Sequence, residues 1–308
     1  MRGSPMSKEI MSSALATEGK GVKVLFGEFV NRDYLFSYIG RIIYGHSGMQ
    51  NIYILENNFW GRMLFINNNL QFASRDEFVY HEALVHIPFQ SAPEGFIKRA
   101  LICGGGDYGC ARELLKYGQV KEVVIVDIDP LIPKLVEEYF PELLPLDPKD
   151  KRLKLITADA YKVVKDYLSE GKTFEFVIID STDPDIGGPE NIQELSHALF
   201  GKDFHEMLKK ICPEGIIVQQ CGTPFTMKNI LLGVHRIFTE VYGKDQVYVF
   251  RANVPSFGSD NAYIMRCPYR NPHIPKGTPP VDLKYYTHDI HTASFALPKF
   301  WLEALNEE

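Results

Sequence analysis

The sequence predicts an α/β protein in which a small antiparallel β domain precedes a larger parallel-sheet domain. Three observations predict it. From about residue 97 onward, short apolar runs alternate with helical stretches, as βαβ units require. The first such unit carries a glycine-rich turn, Gly104, Gly105, Gly106, Asp107, Tyr108, Gly109. Before residue 73, aromatic-rich short runs alternate with asparagine pairs and triplets.

The elements follow in chain order. Residues 1–20 are polar and small, and the stretch Met1 to Pro5 ahead of Met6 reads as an expression leader, so a flexible leader is expected there. The N-terminal domain is expected over 21–88. It contains runs such as Ile52 to Leu55 and Met63 to Ile66, with turns at Asn57-Asn58 and Asn67 to Asn69. A helix over 76–88 bridges to the parallel-sheet domain, expected over 89–308. That domain opens with a strand at 100–103, the glycine turn, a helix over 111–117 and a strand at 123–126 closed by Asp127. A third strand, 153–156, leads to Asp159 and Ala160. A fourth, Phe176 to Ile179, leads to Asp180, Ser181, Thr182, Asp183 and Pro184. The stretch 185–199 has few structure signals and reads as a lid. Residues 269–280 are proline-rich and are expected to wrap the surface.

Four β-branched or aromatic residues before Asp180 mark a buried strand. In open α/β sheets ligands bind at the carboxyl edge of the strands. Asp107, Asp127, Asp159 and Asp180 all fall at that edge, so one crevice would be strongly negative and would suit a polycation. Asp127 lies about 20 residues beyond the glycine turn, where an acid accepts hydrogen bonds from ribose hydroxyls. Taken literally, Gly104-x-Gly106-x-x-Gly109 is also a dinucleotide fingerprint, which would make a dehydrogenase. Asp107 opposes that, because it would face a pyrophosphate at the helix N-terminus. Two like charges that close cost on the order of 4 kcal/mol at 4 Å with an effective dielectric of 20. A nucleoside with a cationic tail fits the loop better.

These motifs, in order, resemble the polyamine aminopropyltransferases of the spermidine synthase family. The residues that carry the resemblance begin with Met49 to Ile52, Leu70-Gln71, Arg75 to Glu82 and Val85 to Pro88. They continue through the glycine turn with Ala111 to Glu113, Asp127 to Asp129, Asp159-Ala160 and Asp180 to Pro184. They end with Val218 to Gln220, Val254 to Ser256, Lys284 to Tyr286 and His291 to Pro298. The resemblance implies a Rossmann-like, methyltransferase-type sheet domain. It also implies transfer of the aminopropyl group of decarboxylated S-adenosylmethionine, a co-substrate, to an amine, with no cofactor and no metal. Putrescine would give spermidine and methylthioadenosine. The alternatives are a spermine or thermospermine synthase acting on spermidine and an S-adenosylmethionine-dependent methyltransferase.

The same resemblance implies roles. Asp180 would be the base. Gln50, Gln71, Asp107, Asp127, Asp159, Ala160 and Pro189 would hold the donor, with Asp107 on its terminal amine. Tyr80, His81, Asp183 and Gln220 would shape the acceptor channel. A homodimer or homotetramer is the expected assembly. Four features depart from the commoner family pattern: Tyr108 in place of a glycine, Asp127 in place of Glu, Phe257 in place of Tyr, and a longer turn over 185–190.

Composition agrees with such an enzyme. With 308 residues and 45% hydrophobic content the chain can bury a large core. Its net charge of −6 gives no attraction to nucleic acid or anionic membranes. No apolar run reaches the ~18 residues of a membrane span. Five scattered cysteines without a C-x-x-C pair read as reduced thiols of a cytoplasmic protein. No His, Cys or Asp cluster has metal-ligand spacing.

Overall fold

The computed structural model describes residues 14–15, 23–29, 35–147, 149–182 and 197–307. The chain forms two compact units, Met1–Arg75 and Asp76–Glu308.

The first unit is a six-stranded antiparallel sheet in sequential order. Its strands are β1 (Ala14–Leu15), β2 (Lys23–Phe29), β3 (Leu35–Ser47), β4 (Asn51–Asn57), β5 (Gly61–Ile66) and β6 (Asn69–Ala73). The asparagines act as the sequence suggested. Asn67 and Asn68 both take positive φ, 50° and 66°, in a two-residue hairpin where Ile66 pairs with Asn69. Asn57 Oδ1 accepts from the amides of Phe59 and Trp60, at 2.9 and 2.7 Å, which turns β4 into β5. Phe26, Tyr38 and Phe65 pack as an aromatic cluster, with Phe26 and Phe65 centroids 4.5 Å apart.

The second unit carries a seven-stranded sheet in the order β12-β13-β11-β10-β7-β8-β9. Here β7 is Arg99–Gly104, β8 Glu122–Asp127, β9 Leu153–Thr157, β10 Phe176–Asp180, β11 Ile216–Gln220, β12 Val247–Val254 and β13 Ser259–Arg266. Strands β7 to β11 run parallel, and β13 and β12 add an antiparallel edge. The helices are α1 (Glu77–Ser91), α2 (Gly109–Leu115), α3 (Leu131–Tyr139), α4 (Ala160–Glu170), α5 (Lys202–Ile211), α6 (Pro224–Tyr242), α7 (His288–Ser294) and α8 (Lys299–Asn306). The central strands are buried on both faces, which explains their unbroken apolar runs. Val177, Ile178 and Ile179 are all fully buried. Each such side chain contributes roughly 1.5–3 kcal/mol.

The chain leaves β7 toward β8 and β9 on one side, then crosses to β10 on the other. That reversal opens a crevice at the carboxyl ends of β7 and β10.

Two expectations need correction. Helix α1 counts with the second unit, not with the β domain, because it packs on α2 and on strands of the parallel sheet. It also continues past Pro88 to Ser91. Ser91 Oγ donates to the carbonyls of Ile87 and Pro272, at 2.9 and 2.8 Å, which ties the helix end to the proline-rich segment. Buried Glu82 accepts the amides of Lys284, Tyr285 and Tyr286, each at 2.8 Å, and so pins the chain just beyond that segment to α1. Among the described residues, no helix is long and apolar enough to cross a membrane.

Candidate active site

The glycine turn brings two strand ends together. Gly104 has φ +85°, and a Cβ there would collide with the Asp180 carbonyl, so only glycine fits. The Gly105 amide then donates to that carbonyl at 3.0 Å. The Asp180 carboxylate is thereby held over the turn. Tyr80, on α1, donates to its Oδ1 at 2.5 Å, and the Cys110 thiol donates to its Oδ2 at 3.4 Å.

Asp107 crosses the turn in the other direction. Its Oδ1 accepts the Gly109 amide at 2.8 Å, and its Oδ2 lies 3.5 Å from His81 Nε2. His81 Nδ1 meets Glu77 Oε2 at 2.7 Å, one helical turn back on α1. Arg112 then pairs with both Glu77 oxygens at 2.9 Å. The imidazole therefore sits between two carboxylates. Gly109 leaves it room, since a Cβ there would overlap the ring.

These contacts set the charge states. Burial pushes the Asp180 carboxyl up to about 6, and Asp107 adds to the shift, while His81 and the Tyr80 hydrogen bond oppose it. Burial works against a charged His81, but Asp107 and Glu77 outweigh it and hold the imidazolium up to about 10. Burial would raise Glu77, yet His81 and Arg112 bring it down to about 2. The crevice thus contains a fixed cation beside its acids. One ligand atom each from His81, Asp107 and Asp180 converges within 4.8 Å, a grouping that linear spacing does not reveal.

At the end of β8, Asp127 Oδ2 accepts the Gly106 amide and Oδ1 accepts the Asp129 amide, both at 2.9 Å. Burial pushes this carboxyl up to about 6. Asp159 caps α4 by accepting the Tyr161 amide at 2.9 Å, and Ala160 opens that helix. At the end of β11, Gln220 Oε1 accepts the Gly222 amide and its Nε2 donates to the Ser181 carbonyl, both at 2.8 Å.

The second unit by itself therefore brings together Tyr80, His81, Asp107, Asp127, Asp159, Ala160, Asp180 and Gln220. His81, expected on the acceptor channel, leans on Asp107, the residue expected on the donor amine. Gln50 and Gln71 belong to the first unit. Gln50 is buried just before β4, and Gln71 on β6 donates to the Asn69 carbonyl at 3.1 Å. Asp183 and Pro189 lie outside the described residues, as does the expected lid up to residue 196.

Residues 77–274 match the model of the spermine/spermidine synthase domain. The chain belongs to the spermine/spermidine synthase family. It is 35% identical over 263 residues to a polyamine aminopropyltransferase of Thermoanaerobacter sp. (strain X514), covering 84% of this chain and 89% of that one. A Clostridium tetani polyamine aminopropyltransferase is 34% identical over 82% of this chain and 85% of its own length. Among solved structures, a spermidine synthase in complex with the transition-state analogue AdoDATO superposes with a TM-score of 0.78 at 25% identity, covering 92% of this chain and 96% of that chain. The Thermotoga maritima spermidine synthase shares the fold, with a TM-score of 0.76 at 24% identity and coverage of 92% and 94%. This member of the family is accordingly an aminopropyltransferase.

Sequence reasoning missed three parts of the site. Glu77 was legible in principle from its i,i+4 spacing to His81. Cys110 was read only as a scattered thiol, and nothing in its neighbours signals a contact with Asp180. Tyr263, whose ring lies 5.7 Å from that of Tyr80, sits in a strand of mixed polarity that carries no motif.

Proposed function

We propose that the enzyme moves the aminopropyl group of decarboxylated S-adenosylmethionine to a diamine, with putrescine preferred, giving spermidine and methylthioadenosine. The observation that carries this reading is the Asp180 carboxylate, held by Tyr80 on one oxygen and Cys110 on the other, beside Asp107.

The acceptor amine resembles lysine, with a pKa near 10.4, and is almost wholly protonated at pH 7. Asp180, raised to about 6, is a better match for that proton than an ordinary aspartate. The amine loses a proton to Asp180, and its lone pair attacks the methylene carbon beside sulfur. The carbon–sulfur bond breaks, and its electrons convert the sulfonium into a neutral thioether. Charge is neutralised at sulfur, so no oxyanion hole is needed. Alignment of amine, methylene and sulfur supplies much of the rate.

Asp107 reads the donor's terminal amine in this scheme. Intact S-adenosylmethionine has a carboxylate at that end, which Asp107 would repel. Asp127 would accept from the ribose hydroxyls, and Asp159 with Ala160 would hold the adenine. The family resemblance would add Gln50, Gln71 and Pro189 to the donor's contacts, and would give Tyr80, His81, Asp183 and Gln220 to the acceptor.

The test is turnover with decarboxylated donor and a panel of putrescine, cadaverine, agmatine and spermidine, with products identified by mass spectrometry. Putrescine should give the highest kcat/KM. A preference for spermidine of about tenfold or more, or roughly 1.4 kcal/mol in transition-state binding, replaces this reading with a spermine or thermospermine synthase. Methyl transfer from intact S-adenosylmethionine would replace it with a methyltransferase.

A further inference from the structure

Tyr263 lies on β13, paired in register with Gln220 of β11 on one side and with Phe250 of β12 on the other. Its ring stacks on Phe250, with centroids 5.1 Å apart and planes 16° from parallel. It is fully buried. Among the described residues, no group meets its hydroxyl in hydrogen-bonding geometry. Asn261, two positions back on the same face, is its polar neighbour, but the Asn261 amide group turns to the Ala262 carbonyl at 3.4 Å. Native structures rarely leave a buried hydroxyl unpaired, and such a group calls for a role.

The surroundings indicate the role. Tyr80, which holds Asp180, has the rings of Tyr263 and Phe257 as neighbours, with centroids 5.7 and 5.9 Å away. Phe257 brings no hydroxyl, so Tyr263 brings the polar atom that this aromatic wall offers beyond Tyr80 itself. Burial pushes the Tyr263 phenol well above its ordinary value; the nearby Asn261 side chain opposes this, Tyr285 and Asp180 add to it, and the phenol is neutral. A neutral phenol oxygen offers lone pairs to an N–H donor. An amine bound at Asp180 is such a donor.

We propose that Tyr263 is a specificity-determining residue of the acceptor channel, its hydroxyl oxygen accepting a hydrogen bond from an amine of the bound diamine. This rests on the aminopropyl-transfer reading above. In the free enzyme the hydroxyl is an unsatisfied buried group; the amine satisfies it. Aliphatic carbon placed at that point, as in an amine of different spacing, would leave it unsatisfied, so the hydroxyl selects for the position of nitrogen along the chain.

The experiment compares wild type with Tyr263→Phe. The variant should raise KM for putrescine about tenfold or more, the worth of a hydrogen bond to a charged donor, and change kcat by less than about threefold. The Kd of methylthioadenosine should not move. The thermal midpoint should stay level or rise, because no protein partner is lost. Adding Phe257→Tyr to that variant should recover part of the putrescine KM. A lowered midpoint with an unchanged putrescine KM would make the hydroxyl structural and overturn the proposal, as would equal weakening of donor and acceptor. Wild-type turnover is measured alongside. If wild type releases no methylthioadenosine with any amine, the transfer reading itself falls. Calorimetric putrescine binding, equal in wild type and variant, would then overturn the Tyr263 assignment separately.

Discussion

Asp180→Asn should make the protein slower and more stable at once. The folded carboxyl titrates at about 6 against a reference of 3.8. That difference of about 2 units corresponds to roughly 3 kcal/mol at 1.36 kcal/mol per unit. Partial solvent screening of Asp180 reduces it to about 1–3 kcal/mol. The native state binds this proton more tightly than the unfolded chain does. Its contribution is therefore most favourable below pH 4, is lost as pH rises through 6, and is flat above. Asparagine carries no charge and keeps an oxygen for the Tyr80 hydroxyl. The variant should gain about 1–3 kcal/mol over wild type at pH 7, and the gain should shrink as pH falls toward 4. The amide cannot take a proton from the acceptor amine, so kcat should drop by roughly 10²–10⁴. Urea unfolding across pH gives the first quantity, and methylthioadenosine release gives the second. Near wild-type turnover at neutral pH would refute Asp180 as the base. A large turnover loss with no stability gain would refute the assignment of a desolvated carboxylate.

Asp107→Asn should weaken the decarboxylated donor far more than methylthioadenosine, because only the donor carries the terminal amine; equal losses in a calorimetric comparison would reduce Asp107 to a loop-shaping residue. Glu77→Gln removes one of the two carboxylates around His81, so the imidazole should titrate lower by about one unit or more in an NMR titration, and an unmoved titration would mean that Asp107 alone sets it. In wild type His81 is raised from 6.5 to about 10, so its contribution to stability is complete below pH 6.5 and is lost as pH rises toward 10; Glu77→Gln should flatten that fall. Glu82→Gln should cost about 2–4 kcal/mol by weakening three charge-assisted backbone hydrogen bonds, and limited proteolysis should then cut within 269–287. Unchanged protease resistance would show that the segment is held elsewhere.

Much of the scaffold was legible in the chain. Parallel strands end at one edge of a sheet, so Asp127, Asp159 and Asp180, each following an apolar run, had to share that edge once the strands were recognised. The glycines of the turn announced a close backbone approach, and Gly104 against the Asp180 carbonyl is that approach. The asparagine turns of the first unit were equally local, because Asn tolerates positive φ. What linear order could not supply was which side chains face each other across elements. Tyr80 and Asp180 are 100 positions apart and meet only because α1 packs against the carboxyl end of β10. Cys110 reaches Asp180 because α2 starts directly after the turn, with a helical phase set by a tyrosine at φ +68° that no propensity would place there. The protonated His81 depends on Glu77 from its own helix and Asp107 from a different element, so its charge is a property of the assembled crevice. Nothing in the linear order singles out Tyr263; the neighbours around its ring come from β11, β12 and α1. Local conformational preference and strand order are written in the sequence, whereas burial, desolvation and the charge states that follow from them exist only when separate elements close around the same atoms.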